Sequence, residues 1–219
     1  MCILKICDGS FSYDRKKLIL NNINVSFKRG VCYGIFGKSG TGKTTFLSLL
    51  AGLDTLTSGC IFYDGNDISK MNKDKYRSND IGVIFQSFNL LPHLTALENV
   101  LLAMDISNNR SRNKKQDALS LLKKVGIDEV KAKRRVLHLS GGEQQRVAIA
   151  RALSYNPKVI LADEVTGNLD KDTERDIVDI LKRLAHDDDK CIIIISHSDY
   201  VKENVDKVLF LKSGNLKEN

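Results

Sequence analysis

No two cysteines in this 219-residue chain stand in a C-x-x-C spacing. The five that occur, Cys2, Cys7, Cys32, Cys60 and Cys191, are odd in number and scattered. That argues against a disulfide framework or a zinc site and favours a reducing, cytosolic compartment. Long hydrophobic runs are missing as well. The N-terminal MCILKICDGS lacks the apolar stretch of a signal peptide. The longest apolar run, CIIIIS at residues 191–196, is far too short to cross a bilayer. The chain is therefore expected not to span a membrane by itself. It also has no internal repeat and no low-complexity linker. Finally, no aromatic residue interrupts either basic cluster, NRSRNKK (residues 109–115) or KAKRR (residues 131–135). With a net charge of +7, these clusters read as solvated helix faces, with nucleic acid or anionic lipid as the sharper alternatives. The missing aromatics weaken the first of those, and no nucleic-acid partner is expected.

The chain does have enough apolar residues to form a core: 42% are hydrophobic and 28% charged. Its length suits one large domain, or a core carrying an inserted subdomain. Residues 1–30 read as strands, with Ile23, Val25 and Phe27 alternating on one face and a turn at KRG. CIFYDGNDI predicts a further strand pair turning at Asp64-Gly65. VCYGIF, VILAD and CIIIIS are short continuous apolar runs, as expected of buried parallel strands. From about Phe88 to Tyr155 the pattern becomes helical. KKQDALSLLKKVGI is a clear amphipathic example, closed by Gly126. The pattern predicts a mixed α/β core interrupted by a helical subdomain. The expected division is residues 1–87 and 156–219 for the core with its β subdomain, and 88–155 for the helical part.

GIFGKSGTGKTT places Gly37, Lys38, Ser39, Gly40, Thr41, Gly42, Lys43, Thr44 and Thr45 between a buried strand and a helix. G-x-x-x-x-G-K-T in that context is a phosphate loop. Its glycines let backbone N–H groups curl around phosphates at a helix N-terminus. Lys43 is expected to reach the β- and γ-phosphates, and the Thr44 hydroxyl to ligate Mg²⁺. KVILADE then delivers Asp163 and Glu164 at the carboxyl end of a buried strand, where ligands bind in open α/β sheets. Asp163 is read as a Mg²⁺ ligand. Glu164, one residue on and so expected on the other side of the pleat, is read as the general base for an attacking water. Three residues are ambiguous by themselves. Gln86 could ligate Mg²⁺ or be an ordinary loop glutamine. His197 could bond the γ-phosphate or be structural. Tyr13 could stack on a base or be an exposed strand aromatic.

LSGGEQQRVAIARAL, residues 139–153, opens a helix with Ser140 and Glu143 in the S-x-x-E spacing of a capping box. Gly141 and Gly142 then fall in the first turn, where free N–H groups and the helix dipole would favour an anion. Val147, Ile149, Ala150 and Leu153 supply the apolar stripe.

The order of these elements resembles an ABC-type ATPase: phosphate loop, Gln86, LSGGEQQR, VILADE, NLD ending at Asp170, then His197. The resemblance covers almost the whole chain. It implies a P-loop NTPase core with a mainly parallel sheet, an N-terminal antiparallel β subdomain and an inserted α-helical subdomain. It further implies that Tyr13 stacks on adenine and that Gln86 couples the Mg²⁺ site to the helical subdomain. Asp170 would communicate across a dimer, and His197 would be the switch histidine. By the same resemblance, Ser140, Gly141, Gly142 and Glu143 would meet the γ-phosphate of an ATP bound on a second copy, in a head-to-tail dimer enclosing two Mg-ATP. FNLLPHLTALENV and TGNLD resemble the subgroup of lipoprotein-releasing, macrolide-exporting, antimicrobial-peptide-resistance and FtsE-like cell-division ATPases. The expected partners are transmembrane permease subunits, engaged through Gln86 and the 88–100 segment, at the cytoplasmic face of the membrane. The alternative is an ATPase that regulates an extracytoplasmic activity without transport. One departure stands out: Val165 occupies the position after Glu164 where the subgroup usually has proline, so the segment before Asp170 is expected to be less stiff.

Overall fold

The continuous apolar runs become strands buried on both faces. The computed structural model describes residues 2–14, 16–107 and 111–218. Two residues of the first basic cluster, at 109 and 110, lie outside the described residues. An antiparallel sheet holds β1 (Cys2–Phe11), β2 (Leu20–Lys28), β4 (Ser58–Tyr63) and β5 (Asn66–Asp67) in the order β2-β1-β4-β5. The second sheet holds β3 (Val31–Phe36), β6 (Ile81–Ile84), β7 (Val159–Asp163), β8 (Cys191–Ile195), β9 (Lys207–Lys212) and β10 (Asn215–Glu218). Its order is β10-β9-β3-β8-β7-β6. All neighbours pair in parallel except β10 with β9. The predicted turn between β4 and β5 is present, with Asp64 and Gly65 at φ +48° and +82°. Positive φ at both central residues is the requirement of a type I′ hairpin.

The period of two along each strand feeds two cores from one sheet. Ile192, Ile194, Ile160 and Ala162 point to one face. Cys191, Ile193, Ile195, Val159 and Leu161 point to the other. The second face packs on the antiparallel sheet and on α1 (Lys43–Leu50), which contributes Phe46, Leu47, Leu49 and Leu50. The short α2 (Lys73–Lys75) and a wider helical turn over Tyr76–Asp80 lead into β6.

The first face carries the helical part: α3 (Ala96–Ile106), α4 (Lys114–Lys124), α5 (Glu129–Ala132), α6 (Gly141–Leu153) and α7 (Lys171–His186). The last helix, α8 (Asp199–Asn204), follows β8. Caps set the helix ends. Thr95 and Glu98 form a capping box on α3, and the Asn113 side chain accepts from the Gln116 amide on α4. Gly126, at φ +84°, ends α4 in a Schellman turn: Ile127 N–H donates to the Leu122 carbonyl at 2.9 Å, and Gly126 N–H to that of Lys123 at 3.0 Å.

The expected four-residue apolar stripe on α6 is too narrow. Gln145, Ala148 and Ala152 are buried too, because α6 sits among α3, α4, α7 and β6 rather than on a surface. A helix enclosed on several sides loses the polar face that a stripe presupposes.

Candidate active site

The phosphate loop leaves β3 after Phe36 and enters α1 at Gly42, whose φ of +96° places it in the left-handed region. No side chain caps α1, and its first turn carries no acidic residue. Its N–H groups therefore remain available to an anion, with the positive end of the helix dipole behind them. Gly37 is needed for space: a Cβ there would collide with the Leu211 carbonyl and the Thr41 hydroxyl. That hydroxyl donates to the Lys38 carbonyl at 2.9 Å and tightens the loop. Lys38, Ser39, Gly40 and Thr44 are exposed. Lys43 is buried, at 6% exposure, with its ammonium folded into the loop. Its Nζ donates to the carbonyls of Gly37 at 3.1 Å and Lys38 at 3.2 Å, and lies 3.1 Å from His197 Nε2.

Parallel pairing of β3, β8 and β7 brings their carboxyl ends together. Asp163 ends β7. Glu164 does not continue the pleat, as its position one residue on suggested. It adopts φ +48°, and its N–H donates to the Ile195 carbonyl at 3.0 Å. Its direction is therefore set by a left-handed turn anchored to β8, not by strand alternation. Glu164 Oε1 lies 3.3 Å from His197 Nε2. That one nitrogen thus faces both an ammonium and a carboxylate. In the tautomer whose Nε2 carries no hydrogen it accepts from Lys43, with the Glu164 carboxylate beside it.

Asp163 differs from its neighbour. Its Oδ1 is buried without a hydrogen-bond partner. Burial, reinforced by the Glu164 charge, raises its pKa, while the Thr44 side chain and the Lys43 charge pull it down.

Tyr13 lies two residues beyond the end of β1, so it is not the strand aromatic of the alternative reading. Its ring is 66% exposed, stands edge-on to Phe11 at 4.8 Å, and its hydroxyl lies 3.2 Å from Thr45 Oγ1. An open aromatic face thus adjoins the start of α1. Gln86 is exposed just past β6, its amide nitrogen 3.5 Å from where a Cβ on Gly167 would stand. Asp170 caps α7: it accepts from the amides of Asp172 at 3.1 Å and Thr173 at 2.9 Å, and from the Thr173 hydroxyl at 2.7 Å. The Thr173 hydroxyl and amide hold the Asp170 carboxyl below its ordinary range.

The capping box at the start of α6 is formed on both sides. Ser140 N–H donates to Glu143 Oε2 at 2.8 Å, and Glu143 N–H to Ser140 Oγ at 3.3 Å. Lys131 lies 3.0 Å from the other Glu143 oxygen. The two glycines have different surroundings. A Cβ on Gly142 would collide with Thr173, whereas one on Gly141 would meet only Leu169 and Phe88, at 3.9 and 4.0 Å. Close packing against α7 therefore requires Gly142, and Gly141 leaves the backbone open.

A family model for ABC transporters matches residues 20–167. The chain belongs to that family. It is 45% identical to the ABC transporter ATP-binding protein YclH of Bacillus subtilis, over all of this chain and 98% of that protein. It is 41% identical to the lipoprotein-releasing system ATP-binding protein LolD 2 of Rhodopirellula baltica, covering 95% and 86% of the two. Among solved structures it resembles the dimeric structure of the cassette MJ0796 of Methanocaldococcus jannaschii. There the TM-score is 0.89 at 36% identity, covering 99% of this chain and 98% of that one. MJ0796 is also known in a dimeric post-hydrolysis state with ADP and Pi, at a TM-score of 0.88. The present chain is thus an ABC-type ATPase and an ATP-binding subunit. Among its described residues, no helix is long and apolar enough to cross a membrane.

The ABC ATPase site suits a hard dication. A buried carboxylate oxygen with no partner is costly, and a cation beside it removes that cost. No group of three or more His, Cys, Asp or Glu among the described residues could hold an ion unaided. A cation here would draw its remaining ligands from phosphate oxygens and water, the habit of Mg²⁺ rather than of ions held in all-protein cages.

Two features of this cassette escaped the sequence reading. Arg151, on α6, donates through Nη2 to the Phe88 carbonyl at 2.9 Å and through Nη1 to that of Asn89. Phe88 and Asn89 stand at φ +55° and +51°, so a fork of donors clamps a left-handed turn just after Gln86. Burial lowers the Arg151 pKa. The buried Asn99 secures the same segment further on, accepting from the Leu91 amide at 2.8 Å and donating to the Leu91 and Thr95 carbonyls. A lone arginine in a helical run carries no sequence signal for a partner about sixty residues away. The Val165 departure also acquires a setting. Val165 is buried in the core, and successive turns, Gly167 N–H to Glu164 O and Leu169 N–H to Thr166 O, shape the segment a proline would have stiffened.

Proposed function

We propose that this chain hydrolyses ATP as one half of a head-to-tail homodimer and drives separate transmembrane permease subunits, exporting or extracting peptide, lipid-linked or antibiotic substrates. The reading rests chiefly on the convergence of Lys43, Asp163, Glu164 and His197 beside the uncapped start of α1. The dimeric MJ0796 structures, one with ADP and Pi, support the paired arrangement.

In this scheme the amides of Gly37 to Thr45 cradle the phosphates, and Tyr13 stacks on the base. Lys43 exchanges the loop carbonyls for phosphate oxygens, and the Thr44 hydroxyl, Asp163 and Gln86 would hold Mg²⁺. Mg²⁺, when bound, neutralises charge developing on the phosphate oxygens. Glu164 orients the attacking water and accepts its proton, and His197 steadies both Glu164 and the terminal phosphate. Ser140, Gly141, Gly142 and Glu143 present the open end of α6 to the nucleotide of the other copy, and Asp170 relays across the interface. Residues 88–155 form the helical subdomain, whose 88–100 segment with Gln86 faces the permease at the cytoplasmic side of the membrane. The lipoprotein-releasing relative supports this partner class.

Two substitutions separate binding from chemistry. Lys43→Ala should lose tight ATP binding in a fluorescent-nucleotide titration. Glu164→Gln should keep that affinity, while single-turnover hydrolysis falls by ~10²–10⁴. Equal loss of affinity in both variants would remove Glu164 from the proton-accepting role.

A further inference from the structure

The cysteines are scattered in sequence, but two of them meet in space. In the antiparallel pairing of β1 with β4, Cys7 stands directly opposite Cys60. Three regular rungs lead to this one: Leu4 with Tyr63, Lys5 with Phe62 and Ile6 with Ile61. Leu4, Ile6, Ile61 and Tyr63 are buried in the core, so strand alternation turns Cys7 and Cys60 together toward the outer face. Both are half-exposed free thiols. In the same register the Asp64 amide donates to the Ile3 carbonyl at 2.8 Å. Hydrogen-bonded rungs alternate, so the cysteine rung is also of the hydrogen-bonded kind, with Cα atoms about 5.5 Å apart. Disulfides bridge Cα separations of about 4.4–6.8 Å with Cβ atoms about 3.5–4.5 Å apart. That is closer than the roughly 4.5–5.5 Å of facing strand residues, so the two strands must draw together locally as the bond forms. Just past the pair the register shifts, with Asp8 at φ +50° and Gly59 at φ +83°. The bulge releases the backbone on that side from regular pairing, which leaves room for adjustment as a bond forms.

We propose that Cys7 and Cys60 are a reversible thiol–disulfide pair, oxidised by exchange with a small-molecule disulfide. One cysteine thiolate attacks a sulfur of that disulfide. Its S–S bond breaks, and one small thiol leaves, taking up a proton. The second cysteine then attacks the protein sulfur of the mixed disulfide and releases the other small thiol. Two protein thiols are oxidised to one bond, and the small disulfide gains the two electrons and two protons. Cys32 and Cys191 do not compete, because both are fully buried. The exposed Cys2 is the competitor. The bond closes a loop from 7 to 60 that contains β2, β3, the phosphate loop and α1. It ties the strand leading to Tyr13 to the strand that follows α1.

The test treats the native chain with oxidised glutathione, blocks the remaining thiols and maps its peptides without reduction. The expected product is a peptide pair joined through Cys7 and Cys60, in a chain lighter by two hydrogen atoms and restored by dithiothreitol. Its thermal midpoint should stand several degrees above that of the reduced chain. Cys60→Ser should instead retain a glutathione adduct on Cys7 and show no such rise. Separate adducts on both cysteines of the native chain, dimers linked through Cys2, or unmodified Cys7 and Cys60 would each overturn the assignment. The native-chain map needs no variant, so a misfolded substitution leaves it decisive.

Discussion

Around the phosphate loop, the side chains of Thr41, Lys43 and His197 are held by partners. Lys43 donates to the Gly37 and Lys38 carbonyls, which keeps its ammonium inside the loop. Asp163 keeps one buried oxygen unpaired. Arg151 is the residue whose substitution is most informative. Its fork reaches two adjacent carbonyls, which a lysine point charge does not span. Arg151→Lys should therefore lower unfolding free energy by ~0.5–1.5 kcal/mol through loss of a hydrogen bond to the half-exposed turn, read from urea midpoints. If the turn after Gln86 positions that glutamine, the variant should also need more Mg²⁺ to reach half-maximal turnover. A variant with the same midpoint and the same Mg²⁺ requirement would show that the clamp is idle.

At the scale of one element, α6 combines a capping box, an open glycine and a packed glycine within its first three residues. The Ser140 amide, helped by Lys131 and opposed by partial burial, holds the Glu143 carboxyl below its ordinary range. A depressed carboxylate pKa stabilises the fold above the unfolded value near ~4.3, and that contribution is lost as pH falls through the folded value. Glu143→Ala should thus cost ~0.5–1 kcal/mol at neutral pH. Wild type and variant should converge in urea titrations once the pH is well below ~4. A gap that persists there would assign the loss to packing instead of the ionised cap. The same element explains why two glycines adjoin: Thr173 of α7 fills the space over Gly142, and only Gly141 has free surroundings.

For the whole molecule, the governing quantity is how much of the site one copy contains. In the proposed head-to-tail dimer a partner's helix end would contribute up to ~2 kcal/mol in a partly buried geometry, and a missing preorganised donor would cost ~2.7–4 kcal/mol at the transition state. Turnover per chain should consequently rise with protein concentration. Glu164→Gln with saturating Mg-ATP should elute as a dimer on size exclusion, and Ser140→Arg should leave monomer ATP affinity near wild type while blocking that shift. Full turnover by chains verified as monomers would sink the paired site.

Local chemistry was legible in the residues themselves. Glycine spacing, a lysine and a threonine mark the phosphate loop, alternation and continuous apolar runs mark the strands, and Ser140 with Glu143 marks a helix start. These signals act over a few residues, where backbone sterics and local hydrogen bonding set the preference. The strand order β10-β9-β3-β8-β7-β6 was not legible, nor was the left-handed turn that aims Glu164. The same is true of the Arg151 clamp on Phe88 and Asn89, the burial of α6 beyond its stripe and the meeting of Cys7 with Cys60. Each depends on register or packing between segments far apart in the chain. Many sequences satisfy the same local patterns, and only the assembled core selects which distant groups become neighbours.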